Sequence, residues 1–165
     1  MASAVRTFLE MTDPSQLTGT PGAPPGVTLA REEPCSPALW RWLYAEVGRD
    51  YHWVDRLQWT DDEISRHLTG SDVELWILRE GREIAGYFEL KRDAEGGIEL
   101  TYFGLLPAFT DRGLGKYLLA AAVERAWALG AARVWVHTSS LDHSSALPNY
   151  LARGFSVWKQ EVYDP

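Results

Sequence analysis

Residues 98–130, IELTYFGLLPAFTDRGLGKYLLAAAVERAWALG, constrain the fold more than any other stretch of the chain. An apolar and aromatic run reads as a buried strand, and Asp111, Arg112, Gly113, Leu114 and Gly115 form a short turn. An apolar segment up to Gly130 then reads as a long helix. A helix that opens on glycine directs several unpaired backbone N–H groups, and the positive end of its dipole, at one point. That point attracts anions, phosphate most of all. Lacking a Cβ, glycine both adopts positive φ and lets the backbone approach a ligand closely. Arg112 and Lys116 add formal positive charge beside those amides. The implied ligand is a diphosphate.

Two familiar phosphate loops are excluded by spacing. A dinucleotide loop would read G-x-G-x-x-G, but after Gly113 and Gly115 the third position is Leu118. A triphosphate loop needs G-x-x-x-x-G-K-[ST], and the chain has no such run.

The rest of the chain supplies the context. With 165 residues it is long enough for one domain with a genuine core, and 45% hydrophobic against 24% charged residues is ordinary globular composition. A net charge of −7 argues against nucleic acid as a partner, since phosphate contact needs a basic face, and an acidic surface suits a cationic amine. Cys35 is the single cysteine, which excludes an internal disulfide and a cysteine-rich metal site. The four histidines show no metal-ligand spacing, so no metal is expected. No apolar run approaches the ~20 residues of a membrane span. The start, MASAVRTFLEM, lacks a basic stretch followed by an apolar one, so no signal peptide and a cytoplasmic location are expected.

In chain order, residues 5–11 form a short strand, and residues 12–25 a Pro/Gly-rich surface connection. Residues 26–32 form a second strand or a continuation of the first. Ser36 caps a helix with Pro37 in its first turn and one face made of Leu39, Trp40, Leu43, Tyr44 and Val47, and Gly48 stops it. Thr60 with Glu63 makes a capping box that opens a helix to about Leu68. Strands over residues 73–79, 83–92 and 98–106 are joined by connections short enough for an antiparallel meander. After the long helix come a strand over 133–137, a helix over 144–153 with Pro148 in its first turn, and a strand over 155–162. The order is β(β)ααβββαβαβ, without internal repeat.

Strand, proline, turn, then R-G-L-G opening a helix resembles the acetyl-coenzyme A loop of the GNAT N-acetyltransferase superfamily, whose signature is [QR]-x-x-G-x-[GA]. Thr110 stands here at the first position. The element order agrees with that resemblance, which covers residue 73 to the C-terminus and is most specific between Glu99 and Phe155. It implies an α/β (α+β) fold with a mixed central sheet, its antiparallel meander flanked by helices. It also implies a single domain over 1–165, with 1–72 on the acceptor side and 73–165 forming the acetyl-CoA-binding core. The implied activity is transfer of an acetyl group from acetyl-CoA to a primary amine by direct attack. The acceptor would be a small molecule or a peptide, and the protein a monomer or homodimer without nucleic-acid or membrane partners. A non-catalytic acyl-CoA-binding module of the same fold is the alternative.

Site residues follow from the same resemblance. Phe103, Gly104, Leu105 and Leu106 would lie along the pantetheine, with the Leu105 N–H on the acetyl carbonyl. Asp111, Arg112, Gly113, Leu114, Gly115 and Lys116 would hold the diphosphate. Tyr150, five residues before Phe155 in Tyr-Leu-Ala-Arg-Gly-Phe, would serve the departing thiolate, for which a phenol is suited. His143 stands where the family often has an asparagine beside the pantetheine. Glu99, six residues before Leu105, matches a glutamate that in some branches activates the amine through water. On a regular strand Glu99, Thr101 and Phe103 share a face opposite Leu100 and Tyr102. Flanking apolar residues would raise its pKa toward that of a base. Trp40, Trp42, Trp53 and Trp59, with Tyr44, Tyr51 and His52, fall where the family builds its acceptor side. Asp55, Asp61, Asp62 and Glu63 are candidate partners for a cationic amine there. His67 and His137 read as structural histidines.

Overall fold

The computed structural model describes residues 3–165, and its organising feature is a seven-stranded sheet in the order β2-β3-β4-β5-β6-β1-β7. The strands are β1 (Ala4–Met11), β2 (Val27–Arg31), β3 (Val73–Glu80), β4 (Glu83–Arg92), β5 (Ile98–Leu105), β6 (Val134–Ser139) and β7 (Ser156–Tyr163). The helices are α1 (Pro37–Gly48), α2 (Asp61–Thr69), α3 (Leu114–Ala128) and α4 (Ala146–Ala152). The meander β2-β3-β4-β5 is antiparallel throughout, and β5 pairs with β6 in parallel.

Local chemistry places the first two helices. Ser36 Oγ accepts from the Leu39 N–H at 3.1 Å, and Pro37 occupies the first turn, where its missing N–H costs nothing. Thr60 Oγ1 accepts from the Glu63 N–H, and Glu63 Oε1 accepts from the Thr60 N–H, each at 3.1 Å. Both helices cover one face of the sheet, where Trp40, Leu43, Val47 and Ile64 pack on Leu75, Ile77 and Tyr87. The opposite face carries α3 and α4, with Leu118, Leu119, Val123 and Tyr150 against Phe88, Leu100, Val136 and Phe155. Each such side chain contributes roughly 1.5–3 kcal/mol by leaving water.

Of the two readings of residues 26–32, the structure has the second strand: β2 is the sheet edge beside β3, whereas β1 lies between β6 and β7, antiparallel to both. The N-terminal strand therefore closes the C-terminal half of the sheet, a pairing across more than a hundred residues that local pattern does not encode. The expected alternation along β5 is broken. Glu89 pairs with Tyr102 and Leu90 with Leu100, so Thr101 is the extra residue of a β-bulge. The bulge puts Phe103 with Leu100 on the α3 face and Tyr102 on the α1/α2 face.

Candidate active site

β5 and β6 pair at two positions only, Ile98↔Val134 and Glu99↔Trp135, and then separate. The gap is the mouth of a cleft of about 760 Å³ lined by Leu100–Leu105 of β5 and by Val136, His137 and Ser139 of β6. The Leu106 N–H donates to the Ala85 carbonyl at 2.8 Å. Successive amides of a strand point to opposite sides, so the Leu105 N–H faces away from β4, into the gap. Gly104 keeps this strand close to α1, since a Cβ there would stand 2.5 Å from Val47 Cγ1.

The glycine turn closes one end of the cleft. Gly113 is the N-cap of α3 at φ 82, a left-handed conformation, and Asp111 precedes it at φ 63. Unlike α1 and α2, α3 has no side-chain cap, so its first-turn amides stay free of side chains. Asp111, Gly113, Gly115 and Lys116 line the cleft, as does Thr110. Arg112 does not: it pairs with Glu80 at 2.7 Å and lies over the Phe109 ring, turned away from the turn's concave side. Leu114 is buried in the core and Leu106 packs between the two clusters, so neither side chain lines the cleft.

Tyr150 lines the cleft from α4, is 5% exposed, and packs against Phe103 and Phe155 with ring centroids 6.1 and 5.9 Å apart. Burial raises its phenol well above the usual range, so it stays protonated. His143 also lines the cleft. Its Nδ1 accepts from the Ser145 N–H at 3.0 Å, and its Nε2 lies 3.8 Å from Asp111 Oδ1.

Glu99 occupies the vertex where β5 and β6 part. It is half-buried, and burial raises its carboxyl to about 7 even though Arg56 and Lys91 pull the other way. Its carboxylate stands behind the cleft wall, 3.8 Å from His137 Nε2, and His137 faces the cleft. Burial and the nearby Arg6 lower the pKa of His137, which favours neutral imidazole. His137, read from the sequence as structural, stands on the cleft wall. His67, by contrast, is satisfied within the core.

The acceptor side is built from the connection between α1 and α2. Tyr51, His52, Trp53 and Asp55 line the cleft with Tyr44 and Tyr102. Of the four acidic candidates only Asp55 reaches it, because Asp61 pairs with Arg41 and Glu63 is used in the helix cap. Trp40 is core, stacked between Tyr44 and Trp59, and Trp42 is 42% exposed. Cys35 lies outside the cleft lining, its thiol pushed up to about 11 by burial and by Glu32.

Beneath this wall lies a residue that sequence reasoning missed. Glu89 is fully buried, and its carboxylate takes Arg56 Nη1 at 2.9 and 3.1 Å, His67 Nε2 at 3.1 Å, Trp40 Nε1 at 3.2 Å and Thr101 Oγ1 at 2.5 Å. Burial alone would raise its pKa, but the His67 hydrogen bond and the Arg56 charge outweigh it and hold it at about 2. Arg56 in turn lies over the rings of Trp59 and Tyr102, 4.6 and 4.5 Å from their centroids. A bare E-L-K in a strand carries no signal of this; the only hint is the count of aromatics around it.

Fold and cleft together define a class: an α/β protein whose parallel strand pair opens into a ligand cleft above a glycine-initiated helix. The chain belongs to the acetyltransferase (GNAT) family, whose model matches residues 34–155. It is 25% identical over 126 residues to a mycothiol acetyltransferase of Corynebacterium efficiens, an alignment covering 74% of this chain and 42% of that protein. The GCN5-related N-acetyltransferase from Kribbella flavida superposes with a TM-score of 0.69 at 21% identity, over 96% of this chain and 56% of that one. A GCN5-related N-acetyltransferase from Sphaerobacter thermophilus gives 0.69 at 18% identity, over 98% and 51%. The chain spans about half the length of these relatives. No described helix is long and apolar enough to cross a membrane.

Proposed function

We propose that this protein, as a single domain, transfers an acetyl group from acetyl-CoA to a primary amine of a small molecule or peptide by direct attack. The observation that carries the reading is the gap between β5 and β6, into which the Leu105 N–H points, with the uncapped turn of α3 at its mouth. The diphosphate binds the Gly113–Gly115 amides and Lys116, and the pantetheine lies along Phe103 and Gly104. The Leu105 N–H holds the acetyl carbonyl and stabilises its oxyanion.

The amine enters from the side of Trp53, Tyr102 and Asp55, whose rings and carboxylate suit an ammonium group before it loses its proton. Glu99 and His137, linked at the vertex, accept that proton. The tetrahedral intermediate then expels the CoA thiolate, and Tyr150 donates its hydroxyl proton to the sulfur. Within residues 3–72 the helices α1 and α2 and their connection supply the acceptor wall, residues 73–165 form the cofactor core, and β1 joins that core between β6 and β7.

Thermal unfolding with and without acetyl-CoA, against NAD and ATP, tests the cofactor. Ligand at a hundred times its Kd stabilises by about 2.7 kcal/mol, and for a chain of this size each kcal/mol moves the midpoint by roughly 2–4 °C. A shift of several degrees with acetyl-CoA alone is expected, followed by amine-dependent release of CoA thiol. No shift removes the reading, and a shift without turnover across an amine panel leaves a binding module.

A further inference from the structure

The β6 side of the cleft carries polar side chains that acetyl transfer leaves unused. Arg6 of β1, Ser139 of β6 and Tyr163 of β7 all line the cleft. Strand register brings them together, because Arg6 stands opposite Ser139 on one side and Glu161 on the other. The Arg6 guanidinium lies 4.1 Å from the centroid of the Tyr163 ring, and its side chain is 31% exposed, so it reaches the cleft. All three residues are held by hydrogen-bonded strands rather than by loops.

Their hydrogen bonds leave donors over. Arg6 Nη1 donates to Glu161 Oε1 at 3.0 Å, while Glu161 Oε2 lies 3.6 Å from Lys159 Nζ. One carboxylate thus serves two cations, and Arg6 Nε and Nη2 have no hydrogen-bond partner among the described residues. Ser139 Oγ and Tyr163 Oη are 2.5 Å apart, and Ser139 Oγ also accepts from the Leu141 N–H at 3.1 Å. Whichever hydroxyl donates within that pair, the proton of the other stays free. Asp142, just past β6, is engaged through Oδ2 by Thr138 Oγ1 at 2.6 Å and by the Ser139 N–H at 2.8 Å. What Arg6, Ser139 and Tyr163 offer the cleft is therefore N–H and O–H donors. Such a set recognises an anion, and the planar guanidinium fork matches a carboxylate.

We infer that Arg6, with the Ser139–Tyr163 hydroxyl pair, binds a carboxylate carried by the acceptor. Resting on the transfer reading above, this narrows the acceptor to an amine that bears a carboxylate several bonds away. Glu99 and His137 receive the amine proton, and Ser139 stands two residues beyond His137 on the same face of β6, roughly 7 Å along the strand. An α-amino acid, whose two groups share one carbon, is too short to reach both places, whereas a linear ω-amino acid spans them. Asp55 and the rings of Trp53 and Tyr102 take the ammonium end, and Arg6 takes the carboxylate.

Initial rates of CoA thiol release from acetyl-CoA, with 5-aminopentanoate and with pentylamine as acceptors, on wild type and Arg6→Met, decide it. The two amines are matched in length and differ in the carboxylate. Wild type is expected to favour 5-aminopentanoate by about tenfold or more in kcat/KM, the scale of a hydrogen bond to a charged group, chiefly through KM. In R6M that ratio should fall to about one. Damage to the fold alone would lower both rates together and keep the ratio. Equal rates in wild type, or a ratio retained in R6M, overturns the subsite, while turnover of either amine leaves the transfer reading intact. Should R6M not fold, Ser139→Ala takes its place and should narrow the ratio, and an unchanged ratio overturns the subsite. Where wild type acetylates neither amine, calorimetric titration of 5-aminopentanoate into the protein in the presence of CoA decides. Binding that is lost in R6M keeps the subsite whatever becomes of the transfer reading. Binding retained in R6M, or absent from wild type, overturns it and leaves transfer to the wider amine panel.

Discussion

Glu99 and Trp135 are the last register pair between β5 and β6, so the carboxylate sits where the sheet opens into the cleft. A half-buried acid at that vertex is raised to about 7, principally by burial, and this sets a pH dependence. A base must be ionised, so kcat/KM should climb as pH rises through about 7. In Glu99→Gln that limb should disappear with activity reduced throughout. A pH–rate profile unchanged in E99Q would remove Glu99 from the mechanism.

The same shift acts on stability in the opposite direction. Since the folded-state pKa lies above the ordinary glutamate value of 4.5, folding favours the protonated form, and stability from this group is lost as pH rises from about 4.5 through 7. E99Q should flatten that part of the denaturation profile, as measured by urea midpoints across pH.

Glu89 has the reverse sign. With a folded pKa of about 2 against the ordinary glutamate value of 4.5, its contribution is present above 4.5 and is lost as pH falls toward 2. Arg56→Met leaves this buried carboxylate without its ion pair, which costs about 3–5 kcal/mol, or a midpoint drop on the order of 10 °C. Calorimetry at neutral pH measures it, and a drop of a degree or less would mean that Arg56 contributes little to holding the acceptor wall.

Tyr150→Phe keeps the ring against Phe103 and removes the hydroxyl. Turnover should fall by about tenfold or more while acetyl-CoA affinity by calorimetry stays near wild type. Unchanged turnover would exclude Tyr150 as the thiolate's proton donor.

Gly113→Val tests the turn. A Cβ there meets no protein atom within 4 Å, yet the left-handed φ of 82 is strained for a branched residue by roughly 1–2 kcal/mol. The variant should fold, melt slightly lower and bind acetyl-CoA much more weakly in the same titration. Wild-type affinity would defeat the diphosphate assignment.

Much of this was legible because it is local. Ser36 and the Thr60–Glu63 box mark helix starts through hydrogen bonds spanning three residues, and Gly113 marks α3 through its φ. The spacing of Tyr150 from Phe155 placed a phenol at the cleft for the same reason. The turn sequence also suggested Arg112 as a diphosphate ligand, but its direction depends on Glu80 from another strand.

By itself the sequence determined the element order, the helix caps, the glycine turn and hence the family resemblance, because each is encoded by residues a few positions apart. Only tertiary structure decided that β1 enters between β6 and β7, that the Thr101 bulge turns Phe103 to the α3 face, and that Arg56 neutralises Glu89. These are pairings of distant segments, set by which surfaces meet when the sheet closes, and no local periodicity records them.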